Sequence, residues 1–291
     1  MPVLSERDLA YWDEHGYVVV PNAVPGEQLT RLVEAIWDFL EMDPGRPDDW
    51  YKWAPYDRND PQTPISAAGM VSMYQHQALW DNRQYPRMHE AFAQIFGSER
   101  LWVSLDRVNM KPPVRADRPE WGHTGMIHWD VDTSRPTIPF GVQGVLCLTD
   151  TSENQGGFQC VPGFHRAFDA WVQTQPADRD PWNPDLEGLE VKQIAGKAGD
   201  LIIWDRLLAH GNGHNTSHRP RLAQYITMQP AEDDEELRQL RIESWRERRP
   251  ARSPGGGAGW PHDPRDWEHR TQAPAVLTDL GRKLLGLDAW D

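Results

Sequence analysis

Ile127-His128-Trp129-Asp130 places a histidine and a carboxylate two residues apart. Side chains alternate along an extended strand, so both would point to one face and could grip a divalent metal from one side. A third ligand must come from elsewhere. His210 is the best candidate, because it follows the apolar run 200–205 and opens the turn His210-Gly211-Asn212-Gly213. Two histidines and one carboxylate on one face of an octahedral ion leave three positions open, the arrangement of non-haem Fe(II) oxygenases. A His-x-Asp triplet alone is weak evidence, since most are solvated pairs or core histidines. His123 is a rival ligand that could meet His128 on a bent loop.

The segment 219–228 reads as a strand with Arg221, Ala223, Tyr225 and Thr227 on one face. If that face lines the same cavity, Arg221 offers a fixed guanidinium that suits a carboxylate in a bidentate fork. An iron with open sites beside a buried arginine is what 2-oxoglutarate needs: its keto-acid end chelates the metal and its far carboxylate meets the arginine. O2 then takes the remaining position. Gln143 shares a strand face with Val145 and Cys147 in the stretch 141–149, where its amide could reach a bound carboxylate or make an ordinary structural hydrogen bond.

The elements that must hold these groups follow from pattern. Ser5 to His15 predicts a helix capped by Ser5 and stopped by Gly16. Tyr17–Val20 predicts a strand, and Pro25 opens a helix with Leu29, Leu32, Ile36, Trp37 and Leu40 on one face. Residues 75–96 contain a helical stretch, and Leu101 to Met110 alternates as one strand carrying Arg107, Asn109 and Lys111 on a face. Segments 190–194 and 200–204 are expected to pair across the turn 195–199. Residues 232–249 predict a charged helix, Ser253-Pro254-Gly255-Gly256-Gly257 a flexible linker, and 280–287 a short amphipathic helix. Two stretches near 43–70 and 168–189 lack periodicity and are rich in aromatic and acidic residues. Their rings Trp50, Tyr51, Trp53, Tyr56, Trp171 and Trp182 are expected at the mouth of the cavity, as a lid or pocket wall, with packing over a core edge as the alternative.

The spacing His128-x-Asp130, then His210 eighty residues on, then Arg221 eleven further, resembles the phytanoyl-CoA dioxygenase family of Fe(II)/2-oxoglutarate oxygenases. Glu14-His15-Gly16-Tyr17-Val18-Val19-Val20-Pro21 is similar to that family's opening segment. So are 148–157 with Val161-Pro162-Gly163-Phe164-His165-Arg166, Gly199-Asp200-Leu201, and the run from His210 to Arg221. Departures are Thr149 for an aspartate, Phe164 for a serine and the inserted Gln155; none touches the proposed ligands. The resemblance implies a mainly β fold with flanking helices, the double-stranded β-helix (a cupin-like jelly roll). It implies His128, Asp130 and His210 as iron ligands, Arg221 on 2-oxoglutarate, and Asn109 near a co-substrate contact.

Composition narrows the partners. Thirty basic against 44 acidic residues give a net charge of −14 over 291 residues, which argues against nucleic-acid binding and weakens a phosphate-rich acyl-CoA substrate. Hydrophobic residues make up 38% and charged residues 25%, the balance of a globular chain. Cys147 and Cys160 make no disulfide framework. No apolar run is long enough to span a membrane, and the chain reads as cytoplasmic. The expectation is a single oxygenase domain over 1–291, with the two insertions and a helical C-terminal extension from 231. It would hydroxylate a small polar metabolite while decarboxylating 2-oxoglutarate to succinate. The alternatives are a non-catalytic jelly-roll binder of small molecules and a cupin-type metal enzyme that does not use 2-oxoglutarate.

Overall fold

The computed structural model describes residues 2–56, 62–254 and 260–290; residues 255–257 of the expected linker lie outside them. Helix α1 (Glu6–His15) starts at a reciprocal capping box, in which Ser5 and Asp8 satisfy each other's backbone N–H, and ends at Gly16 in the left-handed conformation. Strand β1 (Tyr17–Val20) follows. Helix α2 (Gly26–Leu40) buries Leu29, Leu32, Ile36, Trp37 and Leu40 as its periodicity requires. The helical stretch after residue 75 is two helices, α3 (Gln77–Arg83) and α4 (Pro86–Phe96). Pro86 accounts for the break: it has no N–H to continue the ladder and it drives the preceding residue out of helical geometry.

The strand expected over 101–110 also divides, into β2's neighbour β4 (Val108–Lys111) and a separate β3 (Leu101–Val103), where β2 is Met70–Val71. The remaining strands are β5 (Val142–Cys147), β6 (Phe158–Cys160), β7 (Lys192–Gln193), β8 (Leu201–Asp205), β9 (His210–Asn212), β10 (Arg221–Tyr225) and β11 (Met228–Pro230). Six of them form an antiparallel sheet in the order β1-β8-β5-β10-β4-β2, and β7-β6-β9 form a smaller sheet. Strands β7 and β8 therefore do not pair with each other, contrary to the sequence reading; β7 joins β6 while β8 joins β1 and β5. Their composition explains the separation. Lys192 and Gln193 are exposed on both faces, as an edge allows, whereas every residue of β8 is buried.

Alternation along the large sheet sorts its side chains into two layers. Val18, Val20, Leu146, Leu201, Ile203 and Leu222 face the helices in one core cluster. Val145, Cys147, Ile202, Trp204 and Ala223 face the small sheet and pack with Phe158 and Cys160 in another. Both cysteines are free and buried. Helix α5 (Phe164–Val172) gives the start of the second insertion a regular form that the sequence reading did not expect. The C-terminal helices α6 (Glu235–Glu247), α7 (Trp267–Thr271) and α8 (Asp279–Leu285) add Ile242, Leu284 and Leu285 to the helix-side cluster. Among the described residues, no helix is long and apolar enough to cross a membrane.

Candidate metal centre

His128, Asp130 and His210 come together between the two sheets, with one ligand atom from each lying within 4.8 Å of the others. Residues 127–130 do not form a ladder strand. His128 makes a single antiparallel bridge with His210, exchanging N–H···O bonds of 2.8 and 3.1 Å. Directly bridged residues point to one side, and alternation returns Asp130 to the same side while Trp129 turns into the core. Trp129 is tied there by its Nε1–H to the Leu207 carbonyl at 3.0 Å and by rings of Phe164, Phe168 and Trp171. The close approach of the two segments depends on Gly211, where a Cβ would sit 1.7 Å from the Met126 carbonyl oxygen.

Both histidine Nε2 atoms aim at the carboxylate, His128 at Oδ1 and His210 at Oδ2, each at 3.4 Å. His210 Nδ1 lies 2.8 Å from the Leu208 carbonyl. That bond fixes the ring with its Nδ1–H spent on the backbone, so the Nε2 lone pair is left for a metal. Burial pushes the Asp130 carboxyl up, but the hydrogen bonds and charges of His128 and His210 outweigh it and hold the group far below the usual carboxylate range. The donors are therefore a carboxylate and two imidazoles on one side of a common point, which fits Fe(II) with open positions opposite. His123 is not among these three; its Nδ1 accepts the Gly125 N–H at 3.1 Å.

Gln143 reaches the site, though through Asp130. Its Nε2 donates to Asp130 Oδ2 at 2.6 Å, and its Oε1 accepts from Trp204 Nε1 at 3.2 Å. The glutamine thus orients the carboxylate while the tryptophan orients the glutamine. Arg221 is 1% exposed and faces the inter-sheet space from β10. Its Nη1 donates to Asn212 Oδ1 and to the Tyr225 hydroxyl, both at 3.2 Å, and its Nε is buried without a partner. Directly opposite on β4 stands Lys111, also 1% exposed, whose Nζ donates to the Gly213 carbonyl at 2.7 Å. Burial first, and then the Arg221 charge, push the Lys111 amine down to about 8. Neither cation has a carboxylate partner among the described residues. Sequence reasoning put Lys111 on the face of Asn109 without assigning it a role; the signal was its register opposite Arg221, which a sequence does not display. Asn109 is fully buried opposite Ala223, and its amide donates to the Ala68 carbonyl at 2.9 Å.

The six aromatic rings of the insertions separate. Trp50 and Tyr51 are buried in the helix-side cluster, Trp53 donates to the Leu40 carbonyl at 2.7 Å, and Trp171 packs on Trp129. Trp50 and Tyr51 thus clad the core, whereas Trp53 and Trp171 are half-buried against its edge. The Tyr56 hydroxyl lies 3.4 Å from Arg107 Nη1, and Trp182 is 47% exposed. The second insertion nevertheless bears on the metal segment. Trp182 and Pro181 carbonyls accept the N–H groups of Trp129 and Thr133 at 2.8 and 3.2 Å, pinning the chain on either side of Asp130.

A family model for phytanoyl-CoA dioxygenase (PhyH) matches residues 12–223. A protein of Dictyostelium discoideum named for phytanoyl-CoA dioxygenase is 25% identical over 269 residues, 76% of this chain and 74% of that protein. An ectoine dioxygenase of Bordetella bronchiseptica is 32% identical over 151 residues, 47% of this chain and 48% of that one. The structure of the epimerase SnoN, solved with Fe3+, alpha ketoglutarate and nogalamycin RO, superposes with a TM-score of 0.55 at 16% identity, covering 94% of this chain and 96% of SnoN. That likeness shows the fold, the double-stranded β-helix of 2-oxoglutarate oxygenases. With the match spanning most of the chain, the protein belongs to the phytanoyl-CoA dioxygenase family and is an Fe(II)/2-oxoglutarate-dependent dioxygenase.

Proposed function

We propose that this enzyme hydroxylates a small polar metabolite, with His128, Asp130 and His210 as the iron ligands. The observation that carries the co-substrate assignment is the pair of buried cations, Arg221 and Lys111, on the inward sheet face without a carboxylate between them. A buried charge persists only where something compensates it. A dicarboxylate bound with one end at the metal and the other at Arg221 and Lys111 supplies that compensation. When bound, Fe(II) supplies the redox chemistry, coupling decarboxylation of 2-oxoglutarate by O2 to oxidation of a substrate C–H bond. Gln143 keeps the Asp130 oxygens aimed, and Trp204 with Phe158 walls the His210 ring from water. Asn109, two residues from Lys111 on β4 and opposite Ala223, is a further candidate contact for the co-substrate.

Polar groups near the metal ligands support a polar substrate. The Arg107 carbonyl accepts the Tyr225 N–H at 3.0 Å, so Arg107 lies opposite Tyr225, which pairs with Val145, two residues from Gln143. Two strand spacings, about 10 Å, separate Arg107 from the strand that grips Asp130. Its guanidinium is fixed 4.2 Å over the Trp260 ring and neighbours Asp106 and two tyrosines. The stretch shared with ectoine dioxygenase also favours a small metabolite over a long acyl chain. The test is anaerobic addition of Fe(II) and 2-oxoglutarate, followed by O2 and a panel of polar metabolites. A charge-transfer band that vanishes in Asp130→Ala, with succinate release stimulated by panel members, is expected. Wild-type protein that neither binds 2-oxoglutarate nor releases succinate overturns the reading.

A further inference from the structure

Tyr225 stands four residues after Arg221 on the same inward face of β10. Strand β10 is interior to its sheet, flanked by β4 and β5, yet Tyr225 is only half-buried. A central-strand side chain has such exposure toward the space between the sheets. There its hydroxyl oxygen receives two hydrogen bonds, from Asn212 Nδ2 at 2.8 Å and from Arg221 Nη1 at 3.2 Å. A phenolic oxygen has two lone pairs and one proton to offer. Both lone pairs are engaged, so the O–H must point in the remaining direction, and no acceptor meets it among the described residues. Asn212 closes the triangle by accepting from Arg221 Nη1 at 3.2 Å. The triangle consumes one guanidinium nitrogen and leaves Nε and Nη2 for a carboxylate fork.

We propose that Tyr225 donates its phenolic hydrogen to the far carboxylate of 2-oxoglutarate, as a third directed donor beside the Arg221 fork. Asn212 is then the positioning residue that holds the phenol in the donating rotation. The assignment rests on the co-substrate reading above and adds to it a residue that bears on how tightly a five-carbon diacid is held. The competing role is a brace, in which Tyr225 only accepts from Arg221 and never touches the ligand.

Calorimetry on the Fe(II)-loaded protein under anaerobic conditions separates these roles, with N-oxalylglycine as the diacid probe and oxalate as a metal chelator lacking the far carboxylate. Tyr225→Phe should weaken N-oxalylglycine at least about tenfold, the usual worth of a hydrogen bond to a charged group, and leave oxalate affinity and Tm unchanged. Unchanged N-oxalylglycine affinity overturns the proposal. A second variant carries a ring-fluorinated tyrosine at 225, whose phenol is a better donor and a poorer acceptor. With the phenol protonated, a donor role predicts tighter N-oxalylglycine binding. A brace predicts looser binding under the same condition, and that outcome also overturns the proposal. Failure of the wild type to bind N-oxalylglycine at all is a different result, which strikes the co-substrate reading itself.

Discussion

Replacing Arg221 by leucine separates a binding charge from a structural one. In the free protein the guanidinium is 1% exposed, and its partners are neutral oxygens of Asn212 and Tyr225 at 3.2 Å, with the like charge of Lys111 directly opposite. Such a charge contributes little to folding, and an apolar residue of similar volume in its place is often neutral or stabilising by about 1–4 kcal/mol. The unliganded Tm of Arg221→Leu should therefore match or exceed the wild type. Co-substrate binding behaves oppositely. Losing one partner of a buried charge pair costs about 2–5 kcal/mol, which is roughly 30-fold to several thousand-fold in affinity. At 2-oxoglutarate set to 100 times the wild-type Kd, ligand stabilises the wild type by about 2.7 kcal/mol. A 100-fold weaker variant then gains only about 0.4 kcal/mol from the same ligand. For a chain of this size that is a shift of about 5 °C falling to under 1 °C. Differential scanning fluorimetry with Fe(II) under nitrogen reads both quantities, and the KM from succinate release should rise by at least about 30-fold. A variant whose unliganded Tm drops by several degrees while the 2-oxoglutarate shift persists would refute the argument.

Gln143→Ala should raise the Kd for Fe(II) about 10- to 100-fold, as loss of an orienting bond to a ligand does, with the KM for 2-oxoglutarate nearly unchanged; the reverse split would make Gln143 a co-substrate contact. Lys111, with its amine lowered to about 8 by burial and by Arg221, should take up a proton as 2-oxoglutarate binds, so affinity falls as pH rises above about 8. Calorimetry at pH 8.5 in buffers of different ionisation heat measures that uptake, and a value of zero rejects it. In the unliganded protein the sign is opposite: the unfolded chain holds more protons between about 8 and 10.5, so this lysine makes stability rise with pH there. Trp50→Ala should lower stability by about 3 kcal/mol and keep the ratio of succinate to hydroxylated product, whereas Trp182→Ala should move that ratio with little change in Tm. Identical behaviour of the two variants would remove the distinction between cladding and mouth.

Local chemistry was legible in the residues themselves. Ser5, Asp8 and Gly16 bound α1 because capping bonds span only three or four positions. The period of α2 predicted its buried face for the same reason. Iron-ligand candidates could be named because few residue types bind such a metal and His-x-Asp sets two of them on one side. Partnership between distant segments was decided by tertiary structure. Strands β7 and β8 look alike as neighbours in sequence, yet they lie in different sheets because one is an exposed edge and the other must be buried on both faces. His210 meets His128 across 82 positions through a backbone bridge that needs the missing side chain of Gly211. Gln143 bonds Asp130, Lys111 stands opposite Arg221, and Trp50 and Tyr51 sank into the core. Each of those outcomes depends on sheet register and on what covers a side chain, quantities set by contacts between residues far apart in the chain, which no local pattern encodes.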